Sequence, residues 1–286
     1  MKKISFLIYK FLKLIDLILI KVLNRSFLLW FSDFINGDQY INVNIAEKKT
    51  HFFTPNQTTK WRTDTLFTKE PETIEWIDKF KEDKKIIFWD IGANVGLYSI
   101  YAAQRHNNID ILSFEPSTSN LRILSRNISI NNLNNKIKIN QLPLGEKQNT
   151  NSVMYESEFI EGWSMNTFGE SIDHQGKSFQ SKQSYSLFGT NINFYIKNKI
   201  FNVPNYIKID VDGIEHKILR GADECLKSNN LKSVSIELNE NYLEQFKEAT
   251  HIMKSYNFEI KQKKHAKFFD KSELFSNTYN YIFEKK

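Results

Sequence analysis

The sequence predicts an α/β fold built on a doubly wound, mostly parallel sheet of seven strands, preceded by an N-terminal helical extension. The first observation is the regular alternation of short apolar runs, typical of strands, with helical patterns over most of the chain. The second is that four acidic residues stand at the predicted carboxyl ends of different strands: Asp90, Glu115, Asp210 and Glu237. Because parallel strands end at one edge of a sheet, the pattern predicts a single site there.

Composition and charge limit the class of protein. The chain has 286 residues, enough for one large α/β domain with additions or for two small domains. Its one cysteine, Cys225, excludes an internal disulfide framework and a cysteine zinc cluster, and favours a reducing, cytoplasmic location. Residues 1–31 hold six basic residues against one acid, so they carry +5 of the net charge of +6. The near-neutral remainder indicates no nucleic-acid partner.

The first predicted segment, residues 1–35, is a basic amphipathic helical extension, and residues 36–286 form the main domain. Residues 1–31 contain no charge-free window long enough to span a bilayer, and they fit a signal peptide poorly. One half of the helical wheel holds the charged side chains Lys2, Lys3, Lys10, Lys13, Asp16, Lys21 and Arg25. Two hypotheses stay open: peripheral association with the inner face of an anionic membrane, or packing on the main domain or on a second subunit in a homodimer.

The next stretch leads towards the sheet. The run Tyr40–Asn44 is compatible with a strand of a small N-terminal addition. A helix is expected from Pro71, since proline suits the first helical position and the acids beside it suit the positive end of the helix dipole. Trp61 and Arg62, just before this helix, are candidates for covering the site, although a surface salt bridge is the commoner role of such an arginine.

The central stretch is Phe88–Gly96, a strand that ends in a glycine-containing turn and leads into a helix. Gly92 allows the sharp turn, and Gly96 allows the helix start to lie close to the strand and to a ligand. A dinucleotide site would have the pattern G-x-G-x-x-G, but Asn94 and Leu97 occupy its second and third glycine positions. The pattern present is D-x-G-x-N-x-G.

Two acids near this turn indicate the ligand. Asp90, at the end of the strand, can pair with an ammonium group held over the turn. Glu115 ends the next strand, 19 residues after Gly96, which suits a bidentate bond to ribose hydroxyls. An ammonium group together with a ribose indicates S-adenosylmethionine rather than a dinucleotide. The cofactor-binding residues predicted around this turn are Asp90, Gly92, Ala93, Asn94, Gly96, Glu115 and Pro116.

Three sequence blocks make the chain resemble the FkbM family of class I S-adenosylmethionine methyltransferases: Trp89–Ser99, Ser113–Ser117 and Ile207–Ala222. In the third block, Asp212 stands where the family usually has Glu. The family's EP-x-T-x-x-W pattern is present as Glu70, Pro71, Thr73 and Trp76. The resemblance extends over roughly residues 60–285 and implies a Rossmann-like class I methyltransferase fold. It also implies methylation of hydroxyls on acceptors such as polysaccharide sugars and natural products.

The following elements continue the alternation. A helix capped by Ser117 follows Glu115, and the alternation of Ile137 and Ile139 predicts a third strand. In the class I fold that the resemblance implies, the residue just past this strand touches adenine. Leu142 therefore joins the predicted cofactor-binding set.

Residues 146–203 interrupt the cofactor-binding core, which is predicted to comprise residues 84–145 and 204–286. The interruption is polar, and a structureless loop of this length would be unusual, so we expect hairpins near Ser152–Glu156 and Asn191–Ile196 and a mobile tip around Asp173–Gln183. Its position beside the site predicts a role in substrate recognition. Trp163 and His174 are the first candidates, although an exposed loop histidine without a role is common.

The rest of the chain completes the sheet. Tyr206–Val211 is predicted as a fourth strand buried on both faces, in which Lys208 interrupts the apolar run. Gly213 then turns the chain into a helix, and Ser233–Leu238 is the fifth strand. The last elements are a helix from about Glu240 to Tyr256 and an antiparallel pair of strands, Phe258–Lys261 with Tyr279–Phe283.

The proton of an acceptor hydroxyl requires a base near the end of the fourth strand, because the cofactor supplies the reactivity and the protein supplies alignment and proton removal. Asp210 is the first candidate for this catalytic role, followed by Asp212 and His216. Glu215 is either a catalytic residue or a residue that fixes the turn by accepting hydrogen bonds from backbone amides. Helix capping is the structural alternative for Asp212.

The site is predicted to need no metal, with one alternative. Asp210, Glu237 and Asn239 would offer three oxygen ligands at the ends of adjacent strands, a layout that resembles the divalent-metal site of catechol-type O-methyltransferases. In that alternative the ion is Mg²⁺.

The sequence thus predicts an S-adenosylmethionine-dependent O-methyltransferase that acts on a sugar of a surface glycan or a related small molecule. The basic N-terminal helix would suit a sugar acceptor held on a membrane lipid carrier. Two other classes stay open. One is a nicotinamide-dependent oxidoreductase or epimerase, which the missing middle glycine disfavours. The other is a non-catalytic, membrane-peripheral scaffold, which the presence of both Asp90 and Glu115 disfavours.

Overall fold

The computed structural model of the protein describes the backbone of residues 1–286 and every side chain except that of Phe268. The N-terminal part comprises the helices α1 (Lys2–Leu23) and α2 (Phe27–Asp38), the antiparallel strands β1 (Tyr40–Ile45) and β2 (Lys48–Phe53), and the helices α3 (Gln57–Asp64) and α4 (Pro71–Asp78). The strand expected near residue 40 and the helix expected from Pro71 are therefore confirmed.

The N-terminal extension is helical, as predicted, but it is a hairpin of two helices rather than one helix. α1 ends at Asn24, which adopts the left-handed conformation with a φ of 52°, and Ser26 caps α2. The Asp16 carboxylate accepts hydrogen bonds from the Ser26 hydroxyl and from the amide of Phe27, both at 2.8 Å. Asp16 is buried by these contacts, so the acid that the helical wheel assigned to the charged face instead holds the turn.

The remaining elements alternate as predicted, with one insertion. In chain order they are β3 (Ile86–Ile91), α5 (Leu97–Arg105), β4 (Ile109–Phe114), α6 (Thr118–Ile130), β5 (Ile137–Asn140), β6 (Thr150–Glu156), β7 (Asn166–Phe168), β8 (Gln183–Gly189), α7 (Ile192–Lys197), β9 (Tyr206–Ile209), α8 (Glu215–Arg220), α9 (Asp223–Lys227), β10 (Ser233–Asn239), α10 (Leu243–Ser255), β11 (Phe258–Lys264), a 3-10 helix (Lys267–Lys271) and β12 (Thr278–Lys285).

Seven strands form the central sheet in the order β11-β12-β10-β9-β3-β4-β5. β12 runs antiparallel to both of its neighbours, and the pairs from β10 to β5 are parallel. Apolar clusters cover both faces, one around Phe88 and Ile100 and the other around Trp89 and Ile207. The doubly wound, mostly parallel, seven-stranded fold is confirmed. The strand order reverses between β3 and β9, where such sheets form a ligand-binding crevice.

The insertion is built differently from the prediction at one point. β6 pairs with β7 and β8 in a three-stranded antiparallel sheet, so the hairpin strand near Ser152–Glu156 is confirmed. The strand expected at Asn191–Ile196 is wrong, because this segment is the helix α7. Asn191 caps it by accepting a hydrogen bond from the Phe194 amide at 2.9 Å. The tip predicted around Asp173–Gln183 contains a turn in which Asp173 Oδ1 accepts from the amide of Gln175 at 2.8 Å.

The hairpin formed by α1 and α2, residues Lys2–Asp38, is called the N-terminal hairpin below. Its apolar side chains do not pack on the main domain: Leu7, Phe11 and Val22 are 67%, 63% and 73% exposed. The hypothesis that this face packs on the main domain is therefore wrong. None of the helices that the structure describes is both long enough and apolar enough to span a membrane.

Candidate active site

The candidate site is a cleft at the carboxyl ends of β3 and β9, formed where two loops approach each other closely. Gly92 has a φ of +86°, and a Cβ atom there would lie 1.8 Å from the backbone oxygen of Asp210. Gly96 has a φ of +87°, and a Cβ atom there would lie 2.5 Å from Leu124 Cδ1. Both glycines are therefore required by conformation and by space, as the sequence pattern predicts.

Two neighbouring cavities, which share several lining residues, make up the cleft. The inner cavity encloses about 60 Å³ and is lined by seven of the predicted site residues, among others: Gly92, Asn94, Glu115, Pro116, Leu142, Asp210 and Asp212. The outer cavity encloses about 510 Å³ and is lined by Trp61, Arg62, Lys69 and Glu237, together with residues of the insertion and of the segment before β12. Asp210 lines both cavities and so lies at their junction.

Glu115 lines the inner cavity and binds the backbone around it. Its carboxylate accepts hydrogen bonds from the amide of Asn94 at 2.7 Å and from the amide of Ser117 at 2.9 Å. Burial raises the pKa of Glu115 to about 7, against the hydrogen bonds, which lower it. The acid therefore lies beside the glycine turn and titrates near neutrality.

Two side-chain oxygens in the inner cavity are buried acceptors without a donor. Asn94 Oδ1 and Asn166 Oδ1 have no hydrogen-bond partner among the described residues, and both side chains line the cavity. The amide nitrogens of both residues donate to the backbone oxygen of Trp163, at 3.0 and 3.2 Å, which fixes their orientation. Unpaired buried acceptors are unfavourable, so this cavity is suited to a ligand that brings N–H or O–H donors.

Asp90 does not line either cavity. It lies within β3, in register with Ser113 on one side and Lys208 on the other, and is fully buried. It accepts a hydrogen bond from the Ser99 hydroxyl at 2.6 Å, and burial raises its pKa. The prediction that Asp90 pairs with an ammonium group over the turn is not supported by this position. Of the other predicted cofactor residues, Ala93 and Gly96 shape the turn without lining a cavity.

The junction carries an ion pair. Lys208 Nζ lies 2.6 Å from Asp210 Oδ2, and the lysine side chain is buried. Burial would lower the pKa of Lys208, but Asp210, Glu70 and Asp90 together raise it, so the lysine stays charged. The Asp210 carboxylate thus faces the junction with a cation behind it.

Glu70, Asp210 and Glu237 form an acidic cluster, in which one carboxylate oxygen of each lies within 4.8 Å of the others. Lys69 bonds to Glu70 and holds the pKa of Glu70 well below its usual value, against the effect of burial. The pKa of Glu237 is raised well above its usual value by burial and by the neighbouring carboxylates. The two lysine cations offset two carboxylates, and the raised pKa of Glu237 favours its protonated form.

The remaining predicted catalytic residues have different surroundings. Asp212 lines both cavities, and its Oδ2 accepts from the amide of Met165 at 2.6 Å. Glu215 is buried and accepts from the amides of Val211 and Gly213, at 3.0 and 3.1 Å, and from the side chain of Gln245. Glu215 thus fixes the turn, which is the structural alternative, and it does not line the cleft.

His216 also lies outside the cleft. Its ring is buried, faces Glu244 and Glu248 on α10, and has no hydrogen-bond partner on either nitrogen among the described residues. Burial lowers the pKa of His216. A direct catalytic role for His216 is not supported by this position.

The position of Asn239 does not support the alternative metal set. Asn239 is buried, and its Oδ1 accepts from the amide of Asn241 at 2.9 Å, so it caps the end of β10 instead of facing the cleft. Glu70 stands beside Asp210 and Glu237 in its place.

The insertion and α3 wall the outer cavity. Trp61, Arg62 and Trp163 line it, in accord with the predicted cover, and Arg62 Nε donates to the backbone oxygen of Gly162. His174 is buried rather than exposed, and its ring stacks on Phe275 at 4.6 Å. It supports a wall residue and does not line the cavity itself.

Four site residues escaped the sequence analysis: Lys69, Glu70, Asn166 and Lys208. Lys208 had a visible signal, because a lysine inside an otherwise apolar, doubly buried strand needs a buried counter-charge. Glu70 was noted only as a helix-terminal acid within a family pattern. Asn166 and Lys69 had no local signal, since only the fold brings them to the cleft.

Comparison with known proteins gives a consistent family. The family model described as the methyltransferase FkbM domain matches residues 90–260. Among curated proteins, the chain is similar to Methyltransferase sdnD of Sordaria araneosa, with 25% identity over 158 residues, which cover 47% of this chain and 60% of that protein. It is also similar to Methyltransferase 1 of Beauveria bassiana, with 24% identity over 156 residues, covering 51% and 61%. The chain thus spans about 60% of the length of these relatives.

Solved structures show more distant similarity. Methyltransferase FkbM from Methylobacillus flagellatus KT has a TM-score of 0.46 and 14% identity, covering 79% of this chain and 52% of that one. The precorrin-6y C5,15-methyltransferase from Geobacter metallireducens GS-15 has a TM-score of 0.42 and 12% identity, covering 76% and 86%.

Proposed function

The chain belongs to the FkbM methyltransferase family, and on this premise we propose that it transfers the methyl group of S-adenosylmethionine to a hydroxyl of a sugar in a glycan or related small molecule. The observation that carries the proposal is the two-part cleft with Asp210 at its junction. The inner part suits the nucleoside end of a cofactor, and the outer part suits an acceptor.

The inner cavity fits this cofactor in three respects. The Glu115 carboxylate can accept from both ribose hydroxyls. Asn94 Oδ1 and Asn166 Oδ1 lack donors among the described residues, and an ammonium or adenine amino group would supply them. Leu142 and Phe114 give the cavity an apolar wall for a base.

In this reaction the protein has two tasks: it aligns the acceptor with the cofactor, and it removes the proton of the acceptor hydroxyl. When bound, the cofactor supplies an electrophilic methyl group on a sulfonium. The residues of this chain would align the acceptor oxygen with that carbon and take up the hydroxyl proton as the methyl group is transferred. Asp210 is the base in this proposal, because its carboxylate faces both cavities. Lys208 fixes the position of Asp210, and Glu237, which lines the outer cavity, would hydrogen-bond the acceptor.

A sugar is the acceptor that the outer cavity suits best. Trp61, Trp163 and Phe275 offer aromatic surface to the apolar faces of a sugar ring, and Arg62 and Asp212 offer hydrogen bonds to its hydroxyls. An aromatic and charged cavity of this size is typical of sites for small polar molecules.

The proposed reaction does not need magnesium. The positive charges of Lys69 and Lys208 already offset the negative charges of Glu70 and Asp210, so a divalent cation would find no net negative charge to bind. Turnover in EDTA should therefore equal turnover with added Mg²⁺. Loss of activity in EDTA and its return with Mg²⁺ would instead support an ion on Glu70, Asp210 and Glu237.

The test of the cofactor is calorimetric titration of S-adenosylmethionine and S-adenosylhomocysteine into the protein. Both should bind, and Glu115→Ala should weaken binding at least about tenfold because ribose loses its acceptor. The matched control is Asp110→Asn, at the opposite end of the same strand, where the side chain is 44% exposed. Binding of NAD⁺ instead would support the oxidoreductase, and binding of neither would support the scaffold.

The test of the base is Asp210→Asn, assayed by release of S-adenosylhomocysteine with glycan acceptors. The rate should fall by about 10²- to 10⁴-fold while cofactor affinity stays within a few-fold. An unchanged rate would remove Asp210 as the base.

A further inference from the structure

We propose that the N-terminal hairpin docks the protein on the surface of an anionic lipid membrane, lying in the interface without crossing the bilayer. Three features of the hairpin support this: the exposure of its apolar side chains, the sign of its charge and the position of the one acid in α1. None of them depends on which reaction the cleft performs.

The exposed apolar surface of the protein is concentrated in the hairpin. Of the 26 large hydrophobic side chains that are exposed among the described residues, 18 lie within residues 1–35. They include Leu7, Phe11 and Val22 on α1 and Leu29 and Trp30 on α2, the last two 70% and 66% exposed. Scattered exposed apolar residues are ordinary, but a continuous set of this kind marks an interaction surface.

The exposed charge of α1 is entirely positive. Its basic residues, with Arg25 of the turn, are exposed, whereas Asp16 is buried against the start of α2, where it accepts from Ser26, Phe27 and Leu28. The fold thus removes the one negative charge of this helix from the surface. The exposed basic side chains of α1 and the turn are Lys2, Lys3, Lys10, Lys13, Lys21 and Arg25.

This combination favours a lipid surface over a second copy of the chain. Docking of two hairpins would bring together two sets of six exposed cations, each offset only by the exposed acids Asp33 and Asp38 of α2, and like charges repel. An anionic membrane supplies the opposite charge, while the long lysine side chains can extend to the headgroups as neighbouring apolar groups enter the acyl region. Tyr9 and Trp30, both exposed, are residue types that favour the membrane interface.

Residues that line a groove of the hairpin lie near residues that line the outer cavity of the cleft. Gln39 and Pro55 are among the residues that line a groove between α1 and α2, and Gln57 lines the outer cavity. Two residues of chain span at most about 7 Å, so Pro55 of the groove and Gln57 of the outer cavity lie close to each other. If the proposed function holds, membrane docking would bring the outer cavity to acceptors held at the lipid surface.

The experiment is flotation of the full-length protein with phosphatidylcholine vesicles that contain or lack phosphatidylglycerol. The protein should float with the anionic vesicles and about tenfold less with the neutral ones. Lys10→Glu/Lys13→Glu should lower partitioning by about tenfold or more. The matched control, Lys247→Glu/Lys254→Glu on α10, makes the same change of charge at two exposed positions and should float like the wild type.

A second variant tests the apolar part. Leu7→Ser/Phe11→Ser/Val22→Ser changes only exposed side chains, and circular dichroism would verify that helix content is kept. It should lose flotation with both kinds of vesicle. Equal partitioning of wild type and both hairpin variants, or no flotation at all, would overturn the proposal. If the wild type sediments as a dimer and does not float, and the apolar variant sediments as a monomer, the proposal would be overturned in favour of docking between two copies of the chain. Cofactor titration without vesicles tests the proposed function separately.

Discussion

At the scale of single residues, Gly92 is the position where the fold tolerates the least change. Gly92→Ala would place a Cβ atom 1.8 Å from the Asp210 backbone oxygen at a φ of +86°, so the β3 and β9 loops must separate. We expect the free energy of unfolding to fall by more than about 2 kcal/mol and cofactor binding to be lost. Urea denaturation followed by tryptophan fluorescence measures the first, and calorimetry the second.

The control for this change is Gly145→Ala. Nothing lies within 4 Å of a Cβ atom at Gly145, and its φ is not in the left-handed region. The free energy of unfolding should therefore change by less than about 0.5 kcal/mol. Equal behaviour of the two alanine variants would contradict the close approach of the two loops.

Glu115 should make cofactor binding depend on pH. Burial raises its pKa to about 7, and the ionised form is the one that accepts from both ribose hydroxyls. The ionised fraction rises with pH, so affinity should increase from pH 6 to pH 8 by about tenfold and level off above. Calorimetric titrations at several pH values measure this change. Glu115→Gln should bind more weakly with no such slope, and a slope retained in this variant would assign the titration to another group.

The residues of the site were partly predictable from sequence. Gly92, Gly96 and Glu115 were found because a glycine turn and a strand-end acid leave a pattern in one dimension. Asp90 was assigned to the cleft in the same way, but β3 continues to Ile91, so Asp90 lies inside the ladder between Ser113 and Lys208. A shift of one residue at a strand end reverses the direction of a side chain, and spacing alone does not resolve it.

At the scale of elements, α6 holds the β1–β2 pair to the sheet through two asparagines. Asn127 is buried, accepts from the amide of Phe53 at 2.8 Å and donates to the backbone oxygen of Val95 at 2.9 Å. Asn131 accepts from the amide of His51 at 2.8 Å and donates to its oxygen at 2.7 Å. The two asparagine side chains therefore form the backbone hydrogen bonds of β2 that a second neighbouring strand would otherwise form.

Asn127→Ala should therefore destabilise this attachment. It leaves a buried amide and a buried carbonyl without partners, which costs about 2–4 kcal/mol of unfolding free energy. Urea denaturation measures the loss, and hydrogen exchange should accelerate at Phe53. Asn134→Ala, at an exposed position just after the same helix, is the control and should stay within about 0.5 kcal/mol. Slow exchange at Phe53 in Asn127→Ala would refute the attachment.

The elements that sequence analysis missed have capping residues in common. The segment Asn191–Ile196 was predicted as part of a hairpin because a structureless loop of this length is unusual, but Asn191 caps the helix α7 there. The single N-terminal helix became two because Ser26 and Asp16 together bind the first amides of α2. In both places polar side chains that bind the first helical amides decide the element, and apolar periodicity does not register them.

At the scale of the whole molecule, alternation of strands and helices was sufficient to predict the sheet and the edge where the cleft lies. Doubly wound connections leave few topologies, and all of them bring the carboxyl ends of β3, β4 and β9 together. The outer cavity was not predictable, since α3, the insertion and the segment before β12 are far apart in sequence. Long-range packing, which no local pattern records, builds the acceptor side of the cleft.

The main domain should need β1 and β2 in order to fold, but it should not need the N-terminal hairpin. Asp16 is the buried residue of α1, and α2 has none, so a chain beginning at Gln39 should keep its cofactor affinity and unfold within about 4 °C of the full-length protein. A chain beginning at Pro55 loses Ile45, Phe52 and Phe53, which are at most 1% exposed, and should not fold cooperatively. Thermal unfolding and calorimetry of the two truncated proteins measure the difference.

The chain that begins at Gln39 should also lose flotation with anionic vesicles, because the surface that binds lipid would be absent while the cleft remains. A large fall in the melting temperature of that chain would mean that the hairpin supports the core, and its exposed apolar residues would then need another explanation than lipid.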